Sequence, residues 1–181
     1  MLNSISVRRA TSADIPAIVA LVESVYRGEN SKKGWTTEEH LLDGQRTDNA
    51  MVRELMKAPG HVFLLAESDG KVLASVLLER RETYAYIGML SVNVEAQNLK
   101  LGRRMLDECE IFASREWNLN ETRITVIEMR TELVAWYERR GYTRTGNVEG
   151  FHTDPRFGKP KVAYDDLHLI EMARPIELKR F

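Results

Sequence analysis

A single cysteine, Cys109, stands among 181 residues, so the chain can form neither an intramolecular disulfide nor a thiolate-rich zinc site. Five prolines and eleven glycines are too few for a low-complexity or collagen-like chain. No apolar run approaches the ~20 residues of a membrane span. The opening MLNSISVRRATSAD has no apolar core of the kind a signal peptide needs. An excess of either charge is missing too, since 26 Lys and Arg face 27 Asp and Glu, a formal charge of −1. That balance gives no support to a general attraction for nucleic acid or for a membrane surface. The four histidines, His40, His61, His152 and His168, show no ligand spacing, so no metal is expected. What remains is a chain 43% hydrophobic and 29% charged, of a length that suggests one domain over residues 1–181. A cytoplasmic location is expected.

Hydrophobic spacing orders the elements. ISVRR places Ile5 and Val7 on one face of a short first strand. Thr11 or Ser12 can cap the helix that follows, in which Ile15, Ile18, Val19, Val22, Val25 and Tyr26 recur at helical spacing up to Arg27-Gly28. The polar stretch 28–47 carries a lone Trp35 and a short helical candidate after Thr36 or Thr37. A second helix covers 48–58, ahead of Pro59-Gly60. Strands are expected at 61–67 and 71–80, with Asp69-Gly70 as the hairpin turn, and at 83–93, apolar on both faces. An amphipathic helix at 101–116 puts Cys109 on its apolar stripe, where an inert core thiol is the expectation. A strand at 121–128, a helix at 131–140 closed by Gly141, a weaker strand at 142–150 and a last strand near 165–173 complete the order. Hairpins at the front and β-α-β alternation at the back imply an α/β (α+β) fold, a mixed sheet with helices on both faces.

The most informative segment is LSVNVEAQNLKLGRRML, residues 90–106. A strand enters a short loop whose glycine opens a helix, and the unpartnered N–H groups of the first helical turn favour an anion such as a diphosphate. Arg103 and Arg104 add positive charge at the same end, while GxxxxGK[ST] and GxGxxG are both absent. The loop resembles that of the GNAT superfamily of acyl-CoA-dependent N-acyltransferases. Their pattern is Gln or Arg, two variable residues, Gly, one variable residue, then Gly or Ala. Here it reads Gln97, Asn98, Leu99, Lys100, Leu101, Gly102, with Lys100 where the first glycine is expected. RTELVAWYERRGY (130–142) is similar to the family's later helix, with Arg130 where many members have Asn, and the resemblance spans roughly residues 5–173.

The resemblance implies a mostly antiparallel sheet splayed at an acyl-CoA cleft, and acetyl-CoA as acyl donor to a primary amine on a small molecule or a peptide. It implies that the backbone of Leu90, Ser91 and Val92 pairs with the pantetheine arm. Amides from Gln97 through Asn98, Leu99, Lys100, Leu101 and Gly102 to Arg103 would hold the pyrophosphate, with Arg130 also on the cofactor side. Tyr137 becomes the expected general acid at the thioester sulfur. Tyr26, Trp35 and Tyr86 are acceptor-side candidates, and Glu79, Glu82 and Glu128 are candidate bases near strand ends. Packing or solvation remains the alternative for each. A non-catalytic acyl-CoA-binding or interaction domain on the same fold is the rival reading. Edge strands and the C-terminal tail allow a homodimer.

Overall fold

The structure, a computed structural model, describes residues 4–151, 154–163 and 166–177. The loop residues 152–153, the beginning of the expected last strand at 165 and the tail from 178 lie outside the described residues. Strand β1 (Ser6–Arg9) pairs antiparallel with β3 (His61–Ser68), which forms a hairpin with β4 (Lys71–Arg80). Asp69 and Gly70 both take positive φ, 51° and 73°, as the tight hairpin turn requires. Next come β5 (Ala85–Val92), β6 (Glu121–Ile127), β7 (Thr143–Gly150) and β9 (His168–Pro175). The seven strands run in the order β1-β3-β4-β5-β6-β9-β7, antiparallel throughout except for the β5–β6 pair.

Helices α1 (Ile15–Tyr26) and α3 (Asn49–Lys57) cover one face, and α4 (Leu101–Trp117) and α5 (Thr131–Glu138) the other. This explains the unbroken apolar run of β3. Phe63 and Leu65 join Ile15, Ile18, Val22 and Val52 on the first side, while Leu64 and Ala66 join Met105, Leu106 and Val134 on the second. Cys109 is wholly buried in that second layer, and burial pushes its thiol well up from the usual value. Truncating a side chain such as Leu106 to alanine would cost about 2–5 kcal/mol.

Three local features differ from the expectation. The helical turn of the 28–47 stretch is α2 (Gly28–Ser31), and no helix follows Thr36 or Thr37. The Thr37 hydroxyl contacts Ser31 Oγ at 2.6 Å and accepts from the Glu39 N–H at 3.1 Å, which holds the chain in a turn and aims Glu38 inward. A second, two-stranded sheet joins β2 (Leu42–Asp43) to β8 (Lys159–Pro160). The strand expected from 83 begins at Ala85, because Arg81 N–H bonds to the Tyr84 carbonyl in the connecting turn.

Candidate active site

The site begins where β5 leaves β6. Their parallel ladder consists of Ala85 opposite Thr122 and Tyr86 opposite Arg123. Beyond it β5 carries an extra residue against β4, since Leu77 faces Gly88 while Ser75 faces Ser91. Met89, at φ 52°, occupies this bulge in a conformation that usually costs a non-glycine residue about 1 kcal/mol or more. After the bulge Asn93 N–H bonds to Leu73 O on β4, so by alternation Ser91 also faces β4, and Leu90 and Val92 turn their backbones into the gap. The Tyr26 hydroxyl, from the end of α1, donates to the Leu90 carbonyl. Burial holds the pKa of this phenol above its usual value.

The second wall is the start of α4. A 3-10 turn over Val94–Leu99 ends at Lys100, whose φ of 57° and ψ of 23° place it in the left-handed region. That conformation is the physical reason a glycine suits this position. No side chain caps α4, and the first intrahelical bond runs from Arg104 N–H to Lys100 O, so the N–H groups of Leu101, Gly102 and Arg103 are left for another acceptor. Gly102 lies against Trp136 of α5, since a Cβ there would stand 3.1 Å from Trp136 Cζ2. Leu101 is buried in the core, Asn98 and Leu99 are exposed, and Gln97 donates to Thr36 Oγ1 at 3.3 Å. Gln97, Lys100, Gly102, Arg103, Trp35 and Trp136 therefore gather around one cavity of about 170 Å³.

A second cavity, of about 320 Å³, opens on the other side, and Tyr26, Leu90, Arg130, Leu133 and Tyr137 line both. Tyr137 is 7% exposed, and its hydroxyl has no hydrogen-bond partner among the described residues. Its ring is held edge-on by Trp136 at 4.9 Å and by Tyr142 at 5.5 Å. Burial first, then the neighbouring phenols Tyr26 and Tyr142, hold its pKa well above the ordinary tyrosine value, with Arg130 opposing. The phenol is therefore neutral over the whole physiological range. Gly141, at φ 87°, closes α5, and Tyr142 N–H returns to the Tyr137 carbonyl.

Sequence reading missed the charged frame of the larger cavity. Glu38 is buried between Arg27 (2.6 Å) and Arg130 (2.9 Å). Burial alone would raise its pKa, but Arg130, Arg46 and Arg27 outweigh burial and hold it below the usual carboxylate range. Arg130 also donates to the Thr36 carbonyl, so its guanidinium ties the 28–47 stretch to the start of α5. Arg46 and Glu79 line the same cavity, and Tyr86 bonds to Thr125 Oγ1 across the strand gap. Of the other candidate carboxylates, Glu82 is exposed and Glu128 pairs with Arg144. Tyr84 lies beneath Arg123 at 4.2 Å rather than in the cleft. Trp35 is 42% exposed and tilts against Trp136 at 6.0 Å, on the α4 side. Among the described residues, no three His, Cys, Asp or Glu side chains gather as a metal site, and no helix is long and apolar enough to cross a membrane. His152 lies outside the described residues.

Several solved structures with this architecture are acetyltransferases. The ribosomal-protein-S18-alanine N-acetyltransferase of Escherichia coli superposes with a TM-score of 0.69 at 13% identity, over 98% of this chain and 99% of that one. Ard1 from Thermoplasma volcanium gives 0.71 at 16% identity, over 97% and 99%. A spermidine N-acetyltransferase from Vibrio cholerae gives 0.66 at 14%, over 97% of each chain. At these identities the likeness is one of fold. A sequence model described as an acetyltransferase (GNAT) domain matches residues 28–152, and the chain belongs to the GNAT acetyltransferases.

Proposed function

We propose that the chain, as a single domain over residues 1–181, is an N-acetyltransferase that passes the acetyl group of acetyl-CoA to a primary amine by direct attack on the thioester. The observation that carries this reading is the free Tyr137 hydroxyl at the junction of the two cavities, where β5 has parted from β6. The residues present fit the donor. The backbones of Leu90 and Val92 offer strand-like pairing to a pantetheine arm, although Tyr26 already occupies the Leu90 carbonyl. The uncapped first turn of α4, with Lys100 and Arg103, suits a diphosphate. Arg130 acts here as an organiser of the wall, and Ser91 supports β5 from the β4 side. When bound, acetyl-CoA supplies an activated acyl group and a thiolate leaving group.

The chain's own residues have two proton tasks. An amine of pKa ~10 is almost wholly protonated at neutral pH and must lose a proton before it attacks. Glu79 is the carboxylate in position for this, since it lines the acceptor cavity with His61 Nε2 3.9 Å away and Arg81 beside it. Tyr137, held neutral by burial, gives a proton to the departing sulfur, and the Leu90 N–H faces the gap where an oxyanion can be received. Tyr26 and Tyr86 form the acceptor walls, while Trp35 closes the donor side. The test is CoA release from acetyl-CoA across a panel of amines, with mass detection of the acetylated product. Release that depends on the amine is the expected result, and a pure acyl-CoA binder would give none above background.

A further inference from the structure

The larger cavity holds three guanidiniums, Arg27, Arg46 and Arg130, against two carboxylates, Glu38 and Glu79. Arg27 and Arg130 are both engaged with Glu38, and Glu79 is engaged with Arg81. Arg46 is different. Its guanidinium makes no hydrogen bond or ion pair among the described residues, and it stands over the Tyr26 ring at 5.8 Å. Its backbone, in contrast, is fixed. The Glu23 carboxylate of α1 accepts from both Arg46 N–H and Thr47 N–H at 2.6 Å, and Thr47 is buried beside it. Glu23 is thereby bound to the backbone and makes no ion pair with the Arg46 side chain among the described residues. The chain thus presents, on one wall of the acceptor cavity, an anchored cation whose electrostatic partner Glu38 is already shared by Arg27 and Arg130, and on another wall a carboxylate, Glu79. Tyr86 lies within electrostatic reach of both: burial chiefly raises its pKa, with Glu79 adding to the rise and the Thr125 hydrogen bond and Arg46 opposing it.

We propose that the acceptor is a small primary amine carrying its own anionic group, a carboxylate or a phosphate, and that Arg46 receives that anion while Glu79 faces the amine. This inference rests on the acetyltransfer reading above and narrows its substrate class. A guanidinium offers paired donors to either anion, and charge-assisted bonds of this kind are the strong ones in a partly dry cavity. A polyamine fits the same cavity badly, because each added ammonium would join a site that already has more guanidiniums than carboxylates. A cavity of about 320 Å³ also suits a small molecule.

The test compares matched acceptors at saturating acetyl-CoA: common amino acids against their uncharged amides, phosphoethanolamine against ethanolamine, and spermidine. The expected result is a kcat/KM at least tenfold higher for an anionic member than for its neutral partner, with spermidine lowest. The carboxylate and phosphate pairs tell the two anion sources apart. Arg46→Ala should reduce that preference about ten- to hundredfold, chiefly through KM, and Arg46→Lys should restore part of it. Thermal melts establish that the variants fold. Preference for ethanolamine, an amino-acid amide or spermidine overturns the inference and leaves acetyl transfer standing, as does an Arg46→Ala variant with undiminished preference. Amine-independent thioester cleavage, or none, overturns the transfer reading and this inference with it.

Discussion

Gly102 allows the donor-side geometry to be tested by size and by charge separately. A Cβ at this position would stand 3.1 Å from Trp136 Cζ2, 3.4 Å from Trp136 Cη2 and 3.9 Å from Val92 Cγ2. The indole has little freedom to retreat, because Arg140 Cζ lies 3.5 Å from its ring centroid and Tyr137 and Trp35 flank it. Gly102→Ala therefore sets an overpacking cost of about 1 kcal/mol against a helix-propensity gain of similar size. Stability should stay within about 1 kcal/mol of wild type, while acetyl-CoA affinity falls about three- to tenfold as the first turn of α4 crowds. Gly102→Gln adds bulk without charge. Gly102→Glu adds a carboxylate that favours the helix N-terminus, so the variant folds, but it competes with a diphosphate for the same amides. Two like charges about 5 Å apart repel by roughly 1–3 kcal/mol at effective dielectrics of about 20–80. Calorimetric titration with acetyl-CoA should thus show Gly102→Glu at least tenfold weaker than Gly102→Gln and without measurable binding. Wild-type affinity in a folded Gly102→Glu variant would refute the placement of the diphosphate at α4, and equal affinities for the two variants would refute the electrostatic part.

Two further variants probe the loop and the charged frame. Lys100→Gly should keep or raise the melting temperature, because glycine adopts φ 57° without the penalty of about 1 kcal/mol that lysine bears. Both Lys100→Gly and Lys100→Ala should weaken acetyl-CoA binding about two- to thirtyfold and flatten its salt dependence; unchanged calorimetric affinity would mean that Lys100 faces solvent only. Glu38→Gln should destabilise the fold by about 2–4 kcal/mol in denaturant titrations near neutral pH, because it removes the buried negative charge between Arg27 and Arg130. Since the Glu38 pKa is depressed in the fold, its contribution is complete above the ordinary carboxylate value and is lost as pH falls below it. The gap between wild type and Glu38→Gln should therefore close in acid, and a gap independent of pH would contradict the ion-pair account.

The elements that sequence spacing revealed are those with a continuous buried face. The periodic apolar residues of α1 and α4, the unbroken HVFLLAE and the Asp69-Gly70 turn each carry their own local signal. The left-handed loop position was legible too, as the place where Lys100 replaces an expected glycine. What escaped depends on contacts distant in sequence or on strain without a marker. Arg130 reaches Glu38 across 92 residues, and β2 and β8 join through only two residue pairs. A methionine gives no sign that it will occupy a bulge at φ 52°, yet Met89 helps to turn Leu90 and Val92 into the cleft. Thr37 looked like a helix start, but its hydroxyl stabilises a turn instead. Nothing in the sequence singles out Arg46, because only the fold shows that its neighbouring carboxylate, Glu23, is occupied by the backbone.

In the proposed mechanism Tyr137 protonates the leaving sulfur. Tyr137→Phe removes a hydroxyl with no hydrogen-bond partner among the described residues and keeps the ring contacts with Trp136 and Tyr142, so folding and acetyl-CoA affinity should change little. The direct measurement is single-turnover acetyl transfer to the best acceptor of the panel, which isolates chemistry from product release. A general acid is worth about 10²–10⁴ in rate, and water can replace part of it, so the variant should be slower by at least about tenfold. Because burial keeps the Tyr137 phenol protonated beyond the ordinary tyrosine range, the wild-type rate should show no loss from this group up to about pH 10. Equal single-turnover rates in wild type and Tyr137→Phe would contradict the claim and leave Tyr137 as a packing residue.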